Sequence, residues 1–188
     1  MHRHIPNLLT IARLVSAPII ALMLLLTDEP KIAFAALILF IFAALTDWLD
    51  GYLARRWQII SGFGRMLDPI ADKLMVVTLL LAFMGTSLAS IWLFIPALII
   101  VTREIMVSGL REFMAGRNVT MHVTMAAKLK TTFQLIAMGF LIAHFAFVEG
   151  ILHQIATQGG LIILWIAAYL TGQTGIAYFT NAFQQMDD

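Results

Sequence analysis

Four aspartates, Asp47, Asp50, Asp68 and Asp72, stand inside sequence that is otherwise apolar enough for the middle of a lipid bilayer. A charged side chain at mid-bilayer costs roughly 2.5–3.5 kcal/mol on insertion scales, so four of them require a compensating partner, most simply a bound cation. Asp47 and Asp50 are spaced i,i+3, and Asp68 and Asp72 are spaced i,i+4. Each pair therefore projects from one face of a helix, and two facing helices can bring four carboxylates together. Oxygen donors without cysteine, and without a histidine at matching spacing, favour Mg2+ or Mn2+ over zinc, and two ions balance four negative charges. Two such ions suit phosphoryl chemistry: they clamp a pyrophosphate, neutralise a leaving phosphate and lower the pKa of an attacking hydroxyl. Internal ion pairs with Arg55, Arg65 and Lys73 are the structural alternative.

The residues around the acids fit a nucleotide-bearing substrate. Gly51 and Ala54 lack bulk on the same helical turn as Asp47 and Asp50, which lets a nucleotide approach the backbone; tight helix packing is the competing use of small residues. Arg55 can pair with a phosphate or anchor the cytoplasmic boundary. Pro69 frees the carbonyl of Arg65 and can widen the helix where substrate enters.

The elements that must position these residues follow from composition. The chain has 188 residues, 61% hydrophobic and 12% charged, with a mean hydropathy of +0.90. This is an all-α integral membrane protein by composition, and its length allows one domain over residues 1–188. A net charge of +1 and the absence of a Lys/Arg run give no support for a nucleic-acid partner. Cysteine is absent, which removes disulfide and thiolate chemistry.

Residues 1–26 place basic residues before an apolar run, as a signal peptide would. Arg13 interrupts the run and no small-residue cleavage site follows, so the segment reads as retained. Residues 7–13 are amphipathic enough for a short interfacial helix, with Pro18 bending the chain into the first span; one long tilted span with a snorkelling Arg13 is the alternative. After the polar break Asp28-Glu29-Pro30-Lys31, spans are expected at about 32–57, 61–85 with Ser61 as its cap, 91–114, 128–147 and 159–183, which makes six transmembrane helices.

Arg3, Arg13, Arg55, Arg56, Arg65, Arg117, Lys128 and Lys130 fall on one side of these spans, and the opposite short loops offer only Lys31. Both termini are therefore expected in the cytoplasm. Asp47 lies ~22 Å into its span at 1.5 Å per residue, within ~8 Å of the cytoplasmic boundary, and Asp68 and Asp72 reach ~10–16 Å from it. The four acids can share one level.

The pattern Asp47-x-x-Asp50-Gly51-x-x-Ala54-Arg55, eight residues, then Gly64-x-x-x-Asp68-x-x-x-Asp72 resembles the signature of the CDP-alcohol phosphatidyltransferases, with every motif position present. The resemblance extends to Pro6-Asn7-Leu8-Leu9-Thr10, to Arg103-Glu104 and to Lys128-Leu129-Lys130-Thr131-Thr132. It implies that Asp47, Asp50 and Asp68 hold the two metal ions, and that Asp72 both touches a metal and acts as general base on the acceptor hydroxyl. Asn7, Leu8, Leu9, Thr10, Gly51, Ala54, Arg55, Ser61 and Gly64 match positions implied to bind CDP-diacylglycerol. The implied reaction is in-line: an alcohol attacks the lipid-side phosphorus of CDP-diacylglycerol and CMP leaves.

The acceptor must be read from later residues. Arg103 and Arg111 are eight apart, about 80° around a helix, within one broad face, and Lys128 and Lys130 open the next span on the same side. Each cation alone is explained by positive-inside bias. Together, with Glu104 and Glu112, they suit a pocket for a phosphorylated acceptor such as sn-glycerol 3-phosphate, the acceptor used by the family members this chain most resembles. Arg holds a phosphate in one orientation. A cardiolipin synthase of the same family, whose acceptor is a second lipid, comes next, followed by a phosphatidylserine synthase. An ion-coupled transporter is the rival class, but it should spread its ionisable groups along the membrane normal. The expected partners are CDP-diacylglycerol, glycerol 3-phosphate and the bilayer, and the expected assembly is a homodimer. The expected location is the cell (inner) membrane, multi-pass, with the site facing the cytoplasm.

Overall fold

The computed structural model describes residues 5–26, 28–57, 62–117 and 125–184, and their regular structure is entirely helical. The helices are α1 (Ile5–Leu25), α2 (Pro30–Trp57), α3 (Gly62–Met84), α4 (Ile91–Gly116), α5 (Met125–Ala146), α6 (Gly150–Gln154) and α7 (Gly160–Gln184), with a π-helical turn over Ile155–Gly159 joining the last two. Pro30 opens α2, where its missing N–H costs nothing.

Buried residues recur at helical spacing and fix which faces meet. On α1 they are Thr10, Arg13, Ser16, Ala17, Ile20, Ala21 and Leu24, a stripe polar in its first half and apolar in its second. Leu8, Val15, Ile19 and Leu22 point outward, as suits a lipid-facing surface. On α2 the buried stripe is Ala33, Ala36, Phe40 and Ala43, whose small members let neighbouring helices approach closely. α1 packs along both α2 and α3, α2 also packs on α5, and α7 packs on α4 and α5. One core joins these faces, with Ile20, Leu79, Phe83, Ile100, Met138, Leu141 and Leu164 fully enclosed.

Among the described residues, four stretches are long and apolar enough to cross a membrane: Leu8–Leu25, Ile91–Gly116, Leu129–Ala146 and Gly150–Gln184. Pro30–Thr46 of α2 adds a shorter apolar stretch before the first acids. The expected boundaries hold to within a few residues for α2 to α5. α1 differs, because it runs as one helix with Pro18 inside it. The segment expected as a separate interfacial helix forms the first turns of α1.

The last span also differs, since the chain re-enters helix at Gly150 rather than near Gly159. Gly150 supplies the left-handed φ of +83° at this turn. The Gly159-Gly160 pair serves packing and is no break. A Cβ on Gly160 would lie 2.8 Å from Leu141 Cδ2, so glycine is what lets α7 close on α5.

Candidate active site

The helical backbone of α2 runs through Asp47, Asp50, Gly51, Ala54 and Arg55, and that of α3 runs through Gly64, Asp68 and Asp72. Each acid pair therefore keeps its one-turn spacing. The side chains of Asn7, Asp47, Asp50, Gly51, Ala54, Arg55, Gly64, Asp68 and Lys128 lie outside the described part of the structure, and Ser61 lies outside the described residues altogether. Among the described residues no three His, Asp or Glu side chains are gathered as a metal site, so the expectation for the ions rests on the four aspartates. The described member suits a cation in its chemistry, because the Asp72 carboxylate is a hard oxygen donor with 49% of its side chain exposed.

Asp72 has a partner that the sequence reading did not assign. Arg13, on α1, donates from Nη1 to Asp72 Oδ1 at 2.8 Å, and the Arg13 side chain is only 3% exposed. Arg13 is therefore buried against α3 and does not snorkel to the interface. It belongs to the same buried stripe as Thr10, one turn earlier. Leu8 is exposed and Leu9 half-buried, so of the described residues in the expected nucleotide-binding segment, Thr10 is the one turned fully inward.

The next residue, Lys73, links the acids to a second polar centre, since its ammonium group bonds the Ser108 hydroxyl on α4. Ser108 shares a face with Glu104 and Arg111, four residues before it and three after. There the described acceptor candidates Arg103, Arg111 and Lys130 are gathered from two helices, α4 and α5, and α7 adds partners. Glu104 Oε1 accepts from Arg103 Nη1 at 3.1 Å and from the Lys130 ammonium on α5. Arg103 Nη2 donates to Thr174 Oγ1 on α7 at 3.3 Å. The Tyr178 ring carries the Arg103 guanidinium 5.5 Å from its centre and that of Arg111 at 5.4 Å. The 80° offset expected between the two arginines is what lets both reach one ring.

Among the described residues, charge in this centre is unbalanced: Arg103, Arg111 and Lys130 bring three positive charges against the carboxylate of Glu104, while Glu112 is exposed. Arg103 Nε is buried and has no hydrogen-bond partner among the described residues. An incoming anion with several acceptor oxygens would compensate both features. Arg103 also depends on Gly175, because a Cβ there would stand 2.9 Å from Arg103 Cγ.

Tyr178, Thr174 and Gly175 did not stand out in the sequence. Their signal is weak, three small or aromatic residues on one face of the last helix. Beyond Arg103 lies an apolar groove of about 530 Å³ between α4 and α7, lined by Leu98, Met106, Gly172, Ile176, Phe179 and Phe183 among others. Its lining is mostly apolar, with Thr102, Arg103 and Thr180 as the polar members, and suits lipid chains.

The family model described as CDP-alcohol phosphatidyltransferase matches residues 3–173. The chain is also similar along its length to proteins named CDP-diacylglycerol--glycerol-3-phosphate 3-phosphatidyltransferase. That of Cereibacter sphaeroides is 42% identical over 219 residues, covering 100% of this chain and 99% of the relative. That of Rickettsia typhi is 42% identical, covering 94% and 96%, and that of Bacillus subtilis is 34% identical, covering 97% of each.

Proposed function

Because the chain belongs to the CDP-alcohol phosphatidyltransferase family, we propose that it transfers the phosphatidyl group of CDP-diacylglycerol to sn-glycerol 3-phosphate, giving phosphatidylglycerophosphate and CMP. The observation that carries the choice of acceptor is the gathering of Arg103, Arg111 and Lys130 around one carboxylate and one phenol. A soluble phosphate monoester needs such a cluster, since burying its charge without cationic donors is costly. A lipid acceptor needs less of one. The names of the full-length relatives agree with this acceptor.

In this reading Asp47, Asp50, Asp68 and Asp72 would hold two divalent ions, Mg2+ or Mn2+. Support comes from the all-oxygen donor set, the one-turn spacing on each helix and the exposure of Asp72. Bound there, the ions would supply positive charge to the pyrophosphate and to the departing CMP. Thr10, with Asn7 to Leu9, Gly51, Ala54, Arg55, Ser61 and Gly64, would hold the nucleotide lipid. Arg103, Arg111, Lys128 and Lys130 would hold the acceptor's phosphate. Asp72 takes the proton of the acceptor hydroxyl as its oxygen bonds to the lipid-side phosphorus. The bond from that phosphorus to the CMP phosphate oxygen breaks, and CMP leaves. The Lys73–Ser108 contact supports this reading by tying the segment that bears Asp72 to the helix that carries Arg103 and Arg111.

The chain is a multi-pass membrane protein. We further take it to cross the inner membrane six times, α2 and α3 completing the count, with the first turns of α1 at headgroup level and the site facing the cytoplasm, where the basic loop residues lie. A homodimer is the assembly we expect; Gly109 and Gly116 leave an open face on α4, where an added Cβ would meet nothing within 4 Å. The test of the reaction is CMP release from CDP-diacylglycerol with acceptors supplied singly. Glycerol 3-phosphate should support turnover and phosphatidylglycerol should not; the reverse result would make the enzyme a cardiolipin synthase.

A further inference from the structure

Arg13 is a guanidinium with 3% of its side chain exposed, on a helix that otherwise presents apolar residues to its neighbours from Ala17 onward. Holding a charge there is costly unless it is paired, and one of its partners is a half-exposed carboxylate. Packing between α1 and α3 has its own source in Ala17, Ile20 and Leu24, which share the core with Leu79, Leu80 and Phe83. A methionine or leucine at position 13 would serve cohesion better than arginine. Burial gives the guanidinium a fixed place from which to act on a group it touches.

One such group is Asp72 Oδ1, 2.8 Å from Arg13 Nη1 and contributed by a residue 59 positions later. The terminal torsion of an aspartate is broad and nearly two-fold, so a half-exposed carboxylate samples many orientations unless something holds it. A guanidinium fixed by burial offers a rigid planar donor on the protein side of the carboxylate. About half of the Asp72 side chain, 49%, stays exposed, which in the proposed reading leaves it open to substrate. We propose that Arg13 is a positioning residue for the reaction: it anchors Asp72 from beneath, so that the carboxylate meets the acceptor hydroxyl in one orientation. This rests on the proposed reading, in which Asp72 takes the hydroxyl proton.

The test uses the full-length protein in detergent–lipid micelles, with R13M, R13K, D72N and R13M/D72N compared for kcat, both KM values and thermal midpoint. Positioning predicts that R13M lowers kcat at least about tenfold, with both KM values within about threefold of wild type. R13K, which keeps the charge but loses the planar fork, should recover part of that loss. On the D72N background R13M should cost no further turnover, because the group it positions is already gone. Wild-type kcat in R13M would overturn the inference. So would a fall in the thermal midpoint with kcat and both KM values worsening together and no rescue by R13K, or an R13M loss that multiplies the D72N loss. If D72N itself turned over at the wild-type rate, the proposed role of Asp72 would fail and this inference with it, whereas an inactive D72N beside a fully active R13M sinks the inference alone.

Discussion

Arg111 on α4 donates from Nη2 to the Tyr178 hydroxyl on α7 at 3.2 Å, with its guanidinium stacked over the same ring. Arg111 is exposed, whereas Arg103 across the ring is buried, so Tyr178 holds one arginine at the mouth of the cation cluster and one at its base. An arginine held in this way is pre-aimed, and an incoming phosphate orders less of it on binding.

R111Q should therefore act on the acceptor alone. A hydrogen bond to a charged group contributes about 1.5–3 kcal/mol, or roughly 10- to 100-fold in KM for glycerol 3-phosphate, while KM for CDP-diacylglycerol should stay near wild type. Y178F should give a smaller rise of the same kind. Steady-state CMP release with each substrate varied in turn measures both. A rise confined to CDP-diacylglycerol would move Arg111 to the nucleotide side.

Glu104 has 12% of its side chain exposed and receives both Arg103 and Lys130. E104Q removes the charge that compensates two enclosed cations and should cost about 3–5 kcal/mol of stability, the usual result of breaking a buried network on one side. K130M in the same chain removes one of the stranded cations and should return part of the loss. Unfolding midpoints of the two single variants and the double variant, read as a cycle, give the coupling. Equal midpoints for wild type and E104Q would show that the network does not bear on folding.

Chelation should abolish CMP release, and Mg2+ or Mn2+ should restore it, since without the ions the gathered carboxylates repel one another and the pyrophosphate loses its counter-charge. D50N should weaken both nucleotide-lipid affinity and turnover, while D72N should lower kcat far more than affinity for CDP-diacylglycerol. Full activity in excess EDTA, with no gain on adding metal, would remove the two-ion site.

Legibility from sequence tracked the range of each interaction. The four aspartates were visible because their cost in apolar sequence is local, and Arg103 with Arg111 because eight residues on one helix fix an angle. Glu104 was visible beside Arg103 as a member of the expected acceptor pocket. Arg13 was visible as an anomaly but not as a partner, because its meeting with Asp72 depends on which face of α1 turns to α3. The period running from Thr10 through Arg13 and Ala17 to Leu24 carries that information, but only packing identifies the neighbour. Tyr178 lies 67 residues from Arg111, and nothing local in its helix marks it. The last span was expected from about residue 159 and not from Gly150 for a related reason, since a glycine required by a neighbouring helix looks the same in sequence as one at a helix end.

The glycines of α4 and α7 give the last prediction, because two of them have opposite surroundings. A methyl group on Gly175 would lie 2.9 Å from Arg103 Cγ, whereas one on Gly109 would meet nothing within 4 Å. The clash at Gly175 is with the stem of a buried arginine whose head is tied to Glu104 and Thr174, so the side chain cannot move aside without giving up those bonds. Overpacking of this kind costs typically about 1–3 kcal/mol, and displacement of Arg103 adds a functional loss. G175A should lower the unfolding midpoint and raise KM for glycerol 3-phosphate, leaving KM for CDP-diacylglycerol near wild type. G109A should be neutral or stabilising by up to about 1 kcal/mol, the helix-propensity difference between the two residues, unless a second copy of the chain packs on that face. In that case G109A would shift the monomer–dimer balance seen by cross-linking with no change in either KM. A G175A variant with wild-type stability and wild-type KM for the acceptor would show that Arg103 does not need the space that glycine leaves.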